Sequence, residues 1–121
     1  MEKKLTYQDI AITPQKCIVD SRKECDTSVT LGNITFDMPV YPSNMKSVVD
    51  YETCEFFAMH NWFYTMHRFG VDTIQFIKKM VEKNLFVSIS VGINDDSYEI
   101  INKIRHEGLA DKVDYITIDV A

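Results

Sequence analysis

The feature that most constrains this chain is a rhythm that begins at Met38. Short apolar stretches start near Val40, Phe63, Phe86 and Tyr115, and helical patterns fill the intervals between them. In the first interval Tyr51, Cys54, Phe57 and Ala58 fall on one face. Ile74, Ile77, Val81 and Leu85 do so in the second, and Ile100, Ile101 and Ile104 in the third. Strands alternating with helices of roughly 10–12 residues predict right-handed βαβ units and a parallel sheet. Asp72 stands three residues before Gln75 and Asp96 three before Glu99, so both read as helix N-caps with a capping-box partner. Gly108 is placed to stop the third helix. The rhythm alone fits either the start of a closed barrel or an open doubly wound sheet, and at this length the open sheet is the plainer choice.

Residues 1–38 read as an irregular lead-in with Pro14 and the polar cluster Asp20-Ser21-Arg22-Lys23-Glu24. Within it, Val29–Leu31 and Ile34–Phe36 flank Gly32-Asn33 and predict a short hairpin. Residues 39–121 then form a single α/β unit. A net charge of −5 weighs against an electrostatic grip on nucleic acid or an anionic membrane, though not against a local basic pocket for a phosphate. With 45% hydrophobic and 26% charged residues the composition is that of a soluble globular domain. No apolar run approaches the ~18 residues of a membrane span. Met1-Glu2-Lys3-Lys4-Leu5 is not followed by the apolar stretch of a signal peptide. Three cysteines, Cys17, Cys25 and Cys54, form no CxxC and no metal spacing. They predict reduced thiols in the cytoplasm.

Three segments carry a more specific signal. The first is Tyr7-Gln8-Asp9-Ile10-Ala11-Ile12-Thr13-Pro14 followed by Ser21-Arg22-Lys23-Glu24-Cys25-Asp26. The second is Pro39-Val40-Tyr41-Pro42-Ser43-Asn44-Met45. The third pairs Tyr64-Thr65-Met66-His67-Arg68-Phe69 with Ile116-Thr117-Ile118-Asp119-Val120-Ala121. In this order the chain resembles the N-terminal portion of the IMP dehydrogenase/GMP reductase family over essentially its whole length. Ser43-Asn44-Met45 is similar to the GMP reductase branch. So is the direct run from Arg68 into the second helix, which leaves no room for the domains that many of the dehydrogenases insert there.

The resemblance implies the first half of a (β/α)8 barrel, about four βα units of an enzyme that needs eight. It also implies a homotetramer that reduces GMP to IMP with NADPH and releases ammonia, through a cysteine thiolate that attacks the purine. By the same resemblance Ser43 touches the nucleotide phosphate and Met45 packs on the purine; a soft core filler is the plainer role for Met45. Ser21 and Arg22 are implied to contact NADPH, across a subunit boundary in some relatives. Arginine suits that task because its planar fork binds phosphate and stacks on adenine. Arg68 is implied at the cofactor, and Asp119, Val120 and Ala121 beside the nicotinamide. For His67 a hydrogen-bonded structural role is the leading expectation, and His60 and His106 read as surface residues. No catalytic residue is assigned. The family nucleophile lies in a glycine-rich loop after the sixth strand, beyond these residues, and none of the three cysteines has that context. Lys46 departs from the aspartate that many members carry there.

Two readings of the polypeptide follow. One is a part of a GMP reductase, inactive by itself; the other is a non-catalytic remnant or interaction module. An IMP dehydrogenase fragment is the enzyme runner-up. A flavodoxin-like domain comes third, since no glycine-rich phosphate loop follows the first strand. Four parallel strands with unpaired edges predict self-association.

Overall fold

The computed structural model describes residues 5–120. Two single-turn 3-10 helices, Tyr7–Asp9 and Arg22–Glu24, punctuate the lead-in. The hairpin follows as β1 (Val29–Leu31) and β2 (Ile34–Phe36), antiparallel with Leu31 opposite Ile34. Gly32 takes the first loop position at φ +59°, a conformation open to glycine at little cost. Then come α1 (Tyr51–Met59), α2 (Thr73–Glu82), β3 (Ser88–Val91), α3 (Asp95–His106), a 3-10 turn at Ala110–Lys112 and β4 (Tyr115–Ile118).

β3 and β4 pair in parallel, with Ser88 opposite Tyr115 and Val91 opposite Ile118. Residues 63–66 lie along the other side of β3 but join it in parallel only at Met66, whose N–H donates to Ser88 O at 3.0 Å. The expected second strand is therefore reduced to a bridge, and the side chains explain why. Tyr64 Oη donates to Phe86 O at 2.7 Å and accepts from Ser88 N–H. Ser90 Oγ donates to Met66 O at 2.7 Å. Hydroxyls thus satisfy backbone groups that a regular ladder would pair.

The expected first strand is absent at 39–45, where the chain has no ladder partner among the described residues. Pro39 and Pro42 have no N–H to give to one, and Val40 and Tyr41 are exposed. The third strand begins at Ser88 rather than Phe86.

Alternation along the sheet sorts its two faces. Tyr64, Met66, Val87, Ile89 and Val91 meet Cys54 and Ala58 of α1, Phe76, Ile77 and Met80 of α2, and Ile104 of α3 in one buried cluster. The first and third helical stripes are seen as expected. In α2 the buried face centres on Phe76, Ile77 and Met80, with Ile74, Val81 and Leu85 packed at its margin. On the other face Thr65 Oγ1 lies 3.3 Å from both Ser88 Oγ and Thr117 Oγ1.

Caps set the helix starts. Asp50 accepts from Thr53 N–H at 2.8 Å and Asp72 from Gln75 N–H at 3.0 Å. For α3 the cap is Asn94, not Asp96. Its Oδ1 takes both the Ser97 N–H and the Ser97 hydroxyl, which places Asp96 inside the first turn. Gly108, at φ +67°, follows the end of α3 as expected.

The hairpin closes one end of the sheet. Phe36 is buried against Phe63 and Phe86, with ring centroids 5.3 and 5.1 Å away, and Tyr115 Oη donates to Leu31 O at 2.6 Å. These partners precede or begin the parallel strands, so the opposite end, past Met66, Val91 and Ile118, is left clear. No helix among the described residues is long and apolar enough to cross a membrane.

Candidate functional site

The polar residues gather at that clear end. Each parallel stretch ends in an apolar residue, buried at Met66 and Val91 and exposed at Ile118, and the next positions emerge at the rim: His67 and Arg68 after Met66, Gly92 after Val91, Asp119 after Ile118. Asp119 N–H donates to Val91 O at 2.7 Å, which continues the β3–β4 pairing by one step and fixes the aspartate's backbone. Its Oδ2 receives Arg68 Nε at 3.1 Å, both side chains being about three-quarters buried. The Arg68 guanidinium carbon also lies 4.3 Å from the centroid of the Phe69 ring.

Gly92 makes room for this pair. A Cβ there would stand 3.3 Å from Arg68 Nη1 and 3.1 Å from Ser97 Oγ, the atom that accepts Gly92 N–H at 2.9 Å. The pair leaves guanidinium nitrogens and a carboxylate oxygen free to bind a polar ligand at the carboxyl rim, where parallel α/β proteins hold theirs.

Two hollows flank the pair. One, of about 210 Å³, is lined by Arg68, Gly92, Ile93, Asn94, Asp119 and Val120. The other, of about 500 Å³, lies between Asn44–Ser47, Phe69 and Asp119. Met45 lines it and is more than half exposed, so it is not the core filler that was its alternative role. Ser43 is exposed one turn earlier, and its carbonyl accepts Met45 N–H at 2.8 Å.

His67 is buried, and its Nδ1 accepts Phe69 N–H at 3.1 Å, which leaves the ring proton on Nε2. Burial, with the nearby Lys46 charge, holds its pKa below the usual histidine value. That is the structural histidine expected. His60 and His106 are exposed.

The structure thus brings Met45, Arg68, Asp119 and Val120 to one rim. Ser21 and Arg22 sit apart in the exposed lead-in, where Ser21 Oγ caps its own turn through Lys23 N–H at 3.3 Å. Ala121 lies outside the described residues. The sequence reading passed over Phe69 and Gly92. A glycine at the end of an apolar strand was the available signal for close approach at Gly92.

Among the cysteines, Cys54 is buried with its thiol 3.6 Å from Met66 Sδ, and burial pushes its pKa up to about 12. A thiol so placed is inert as a nucleophile. Cys17 and Cys25 are exposed in the lead-in.

Helices and a parallel sheet with a charged pair at its carboxyl rim define the class of this chain as α/β. No protein-family model matches the chain. A GMP reductase from Chromobacterium violaceum is 56% identical to it over 117 residues, which is 97% of this chain and 36% of that protein. The GMP reductase of Bacillus subtilis is 48% identical over all of this chain and 37% of its own length, and that of Mycoplasma mycoides 47% identical over 95% and 35%. In structure the chain is similar to an inosine 5'-monophosphate dehydrogenase from Legionella pneumophila. The TM-score is 0.69 at 26% identity, over 96% of this chain and 35% of that one. Over nearly its whole length the chain is similar to GMP reductases. It spans about a third of the length of the curated relatives it matches.

Proposed function

We propose that this chain is the N-terminal portion of an NADPH-dependent GMP reductase, converting GMP to IMP with release of ammonia in the cytoplasm. Residues 1–38 are its lead-in, and residues 39–121 its part of a (β/α)8 barrel. The observation that carries this reading is the Arg68–Asp119 pair, 3.1 Å apart at the carboxyl rim, in a sequence 47–56% identical to GMP reductases along nearly all its length. That identity, against 26% to a dehydrogenase of similar fold, favours the reductase over the dehydrogenase.

In this reading Arg68, Asp119, Val120 and Ala121 hold NADPH, and Ser43 and Met45 hold GMP. Ser21 and Arg22 reach the cofactor of a neighbouring subunit in a homotetramer, a role that suits their exposure and their distance from the rim in the sequence. NADPH supplies the hydride. The chain's own task is to bind and orient: the guanidinium meets phosphate or carboxamide oxygen, the Asp119 carboxylate accepts an amide N–H, and Met45 offers an apolar wall. The attacking thiol is none of the three cysteines here. By itself the 121-residue chain binds without turning over.

Titration of the chain with NADPH, read by nicotinamide fluorescence, tests the assignment. One charge-assisted hydrogen bond contributes about 1.5–3 kcal/mol, so Arg68→Gln and Asp119→Asn should each weaken NADPH about tenfold or more. Equal binding by wild type and both variants would remove the rim from the cofactor site.

A further inference from the structure

A hollow of about 460 Å³ opens between the start of α2 and α3, lined by residues 70–74 with Ile100 and Lys103. It shares no lining residue with the two hollows beside Arg68 and Asp119. Its size is that of a small-molecule site, and Val71, Ile74 and Ile100 give it aliphatic walls.

Thr73 is the first residue of α2, a position that surface helices ordinarily leave wet, yet it is only 8% exposed. Its hydroxyl makes no hydrogen bond among the described residues, although the residue lines the hollow. Buried hydroxyls are ordinarily paired, so one left open to a hollow is free for a ligand. The backbone adds to it. Asp72 caps α2 by taking Gln75 N–H at 3.0 Å, and Phe76 N–H goes to Asp72 O at 2.9 Å. The Thr73 and Ile74 N–H groups have no acceptor among the described residues. Free N–H groups at the positive end of a helix dipole favour an anion.

Lys103 reaches the same hollow from α3 and supplies a full charge. It has no carboxylate within ion-pair distance among the described residues. Glu107, one turn on, is bound to Lys78 at 2.7 Å, and Glu99, one turn before, makes no ion pair among the described residues. Asp72 is the one carboxylate among the lining residues, and it is turned to the Gln75 N–H.

We propose that the start of α2, the Thr73 hydroxyl and Lys103 bind the phosphate of a small phosphate monoester whose apolar body lies along Val71, Ile74 and Ile100. The two N–H groups and the hydroxyl donate to phosphate oxygens, and Lys103 pairs with the charge. The site does not depend on the GMP reductase reading. Free phosphate offers the same oxygens without the body, and the test separates the two.

The 121-residue chain, labelled with ¹⁵N, is titrated at constant ionic strength with inorganic phosphate and with n-butyl phosphate while the Thr73 and Ile74 amide resonances are followed. Both ligands are expected to move them, n-butyl phosphate at the lower concentration. Lys103→Gln should weaken binding about tenfold, the loss of one charge-assisted contact. Thr73→Val should weaken it about threefold or more, as the loss of a neutral hydrogen bond does, without lowering the midpoint of urea unfolding. A hydroxyl with a structural task would give the opposite pattern, a lower midpoint with unchanged binding. Lys112→Gln, at the amino end of the sheet, and Arg68→Gln, at the rim, should both match the wild type.

If neither ligand moves the two amides, or if Thr73→Val and Lys103→Gln bind as tightly as the wild type, the site is refuted. A response that disappears in Arg68→Gln assigns the anion to the rim and overturns the proposal as well. Equal affinity for the two ligands rejects the monoester and leaves free phosphate as the occupant.

Discussion

At the residue scale, single hydroxyls and one imidazole hold the rim in place. Tyr64 is buried, its Oη bridges Phe86 O and the Ser88 N–H, and burial keeps the phenol protonated against the opposing pull of the Ser88 N–H. Tyr64→Phe keeps the ring's packing and orphans both backbone groups. We expect a loss of about 1–3 kcal/mol in urea unfolding; an unchanged midpoint would mean that residues 63–66 close onto β3 by themselves. His67 gives a pH signature. Its pKa is lowered in the fold, first by burial and then by Lys46, so the unfolded chain binds the proton more readily. Stability from this group is therefore complete above the unfolded histidine value, about 6.5, and declines as pH falls through the folded value. Melting curves between pH 7 and pH 5 should show this decline. It should shrink in His67→Asn, whose amide oxygen can still accept Phe69 N–H. A decline of equal size in the variant assigns the effect elsewhere.

At the element scale, the hairpin acts as a plug for the amino end of the sheet, and Phe36 is its anchor among Phe63, Phe86 and Tyr115. Phe36→Ala removes a fully buried ring, for which about 3–5 kcal/mol is usual. Protection of the Leu31 and Ile34 amides in hydrogen exchange should drop with it; retained protection would show a hairpin that stands without the plug. This element was legible in the sequence, because Gly32-Asn33 between two β-branched runs encodes its turn locally. So were the α2 cap at Asp72 and the stop at Gly108. The α3 cap was misplaced by two residues, because Asn94 wins through two bonds to Ser97 that spacing to Glu99 does not reveal. The first strand was overread at Val40, since apolar content says nothing of what two flanking prolines withhold from a ladder. At the site, Arg68, Asp119 and Met45 were legible only through family resemblance. That Arg68 and Asp119 meet depends on strand adjacency. That Thr73 and Lys103 line one hollow depends on how α2 lies beside α3, and no local pattern carries either.

At the scale of the whole molecule, the decisive surface is the far side of β4. β3 covers one edge of β4, and no strand is paired to the other among the described residues. Its outward residues are apolar: Ile116 is 50% exposed, Ile118 68% and, just beyond, Val120 60%. An unpaired edge flanked by β-branched residues is a template for another chain, and neither charge nor proline guards it here. Beside it, Val91, Ile101, Tyr98 and Ile118 line a largely apolar hollow of about 190 Å³ that adds to the same patch. A parallel sheet with helices on one face only is also atypical, since such sheets are usually covered on both. The 14.0 kDa chain should therefore elute from a size-exclusion column as dimers or larger species rather than as a clean monomer. Ile118→Lys places a charge on this exposed apolar patch, and it should shift the profile toward monomer. A sharp monomer peak for the wild type would refute the argument, because it would mean the edge is protected within one chain. Unchanged oligomers in Ile118→Lys would move the association to another face.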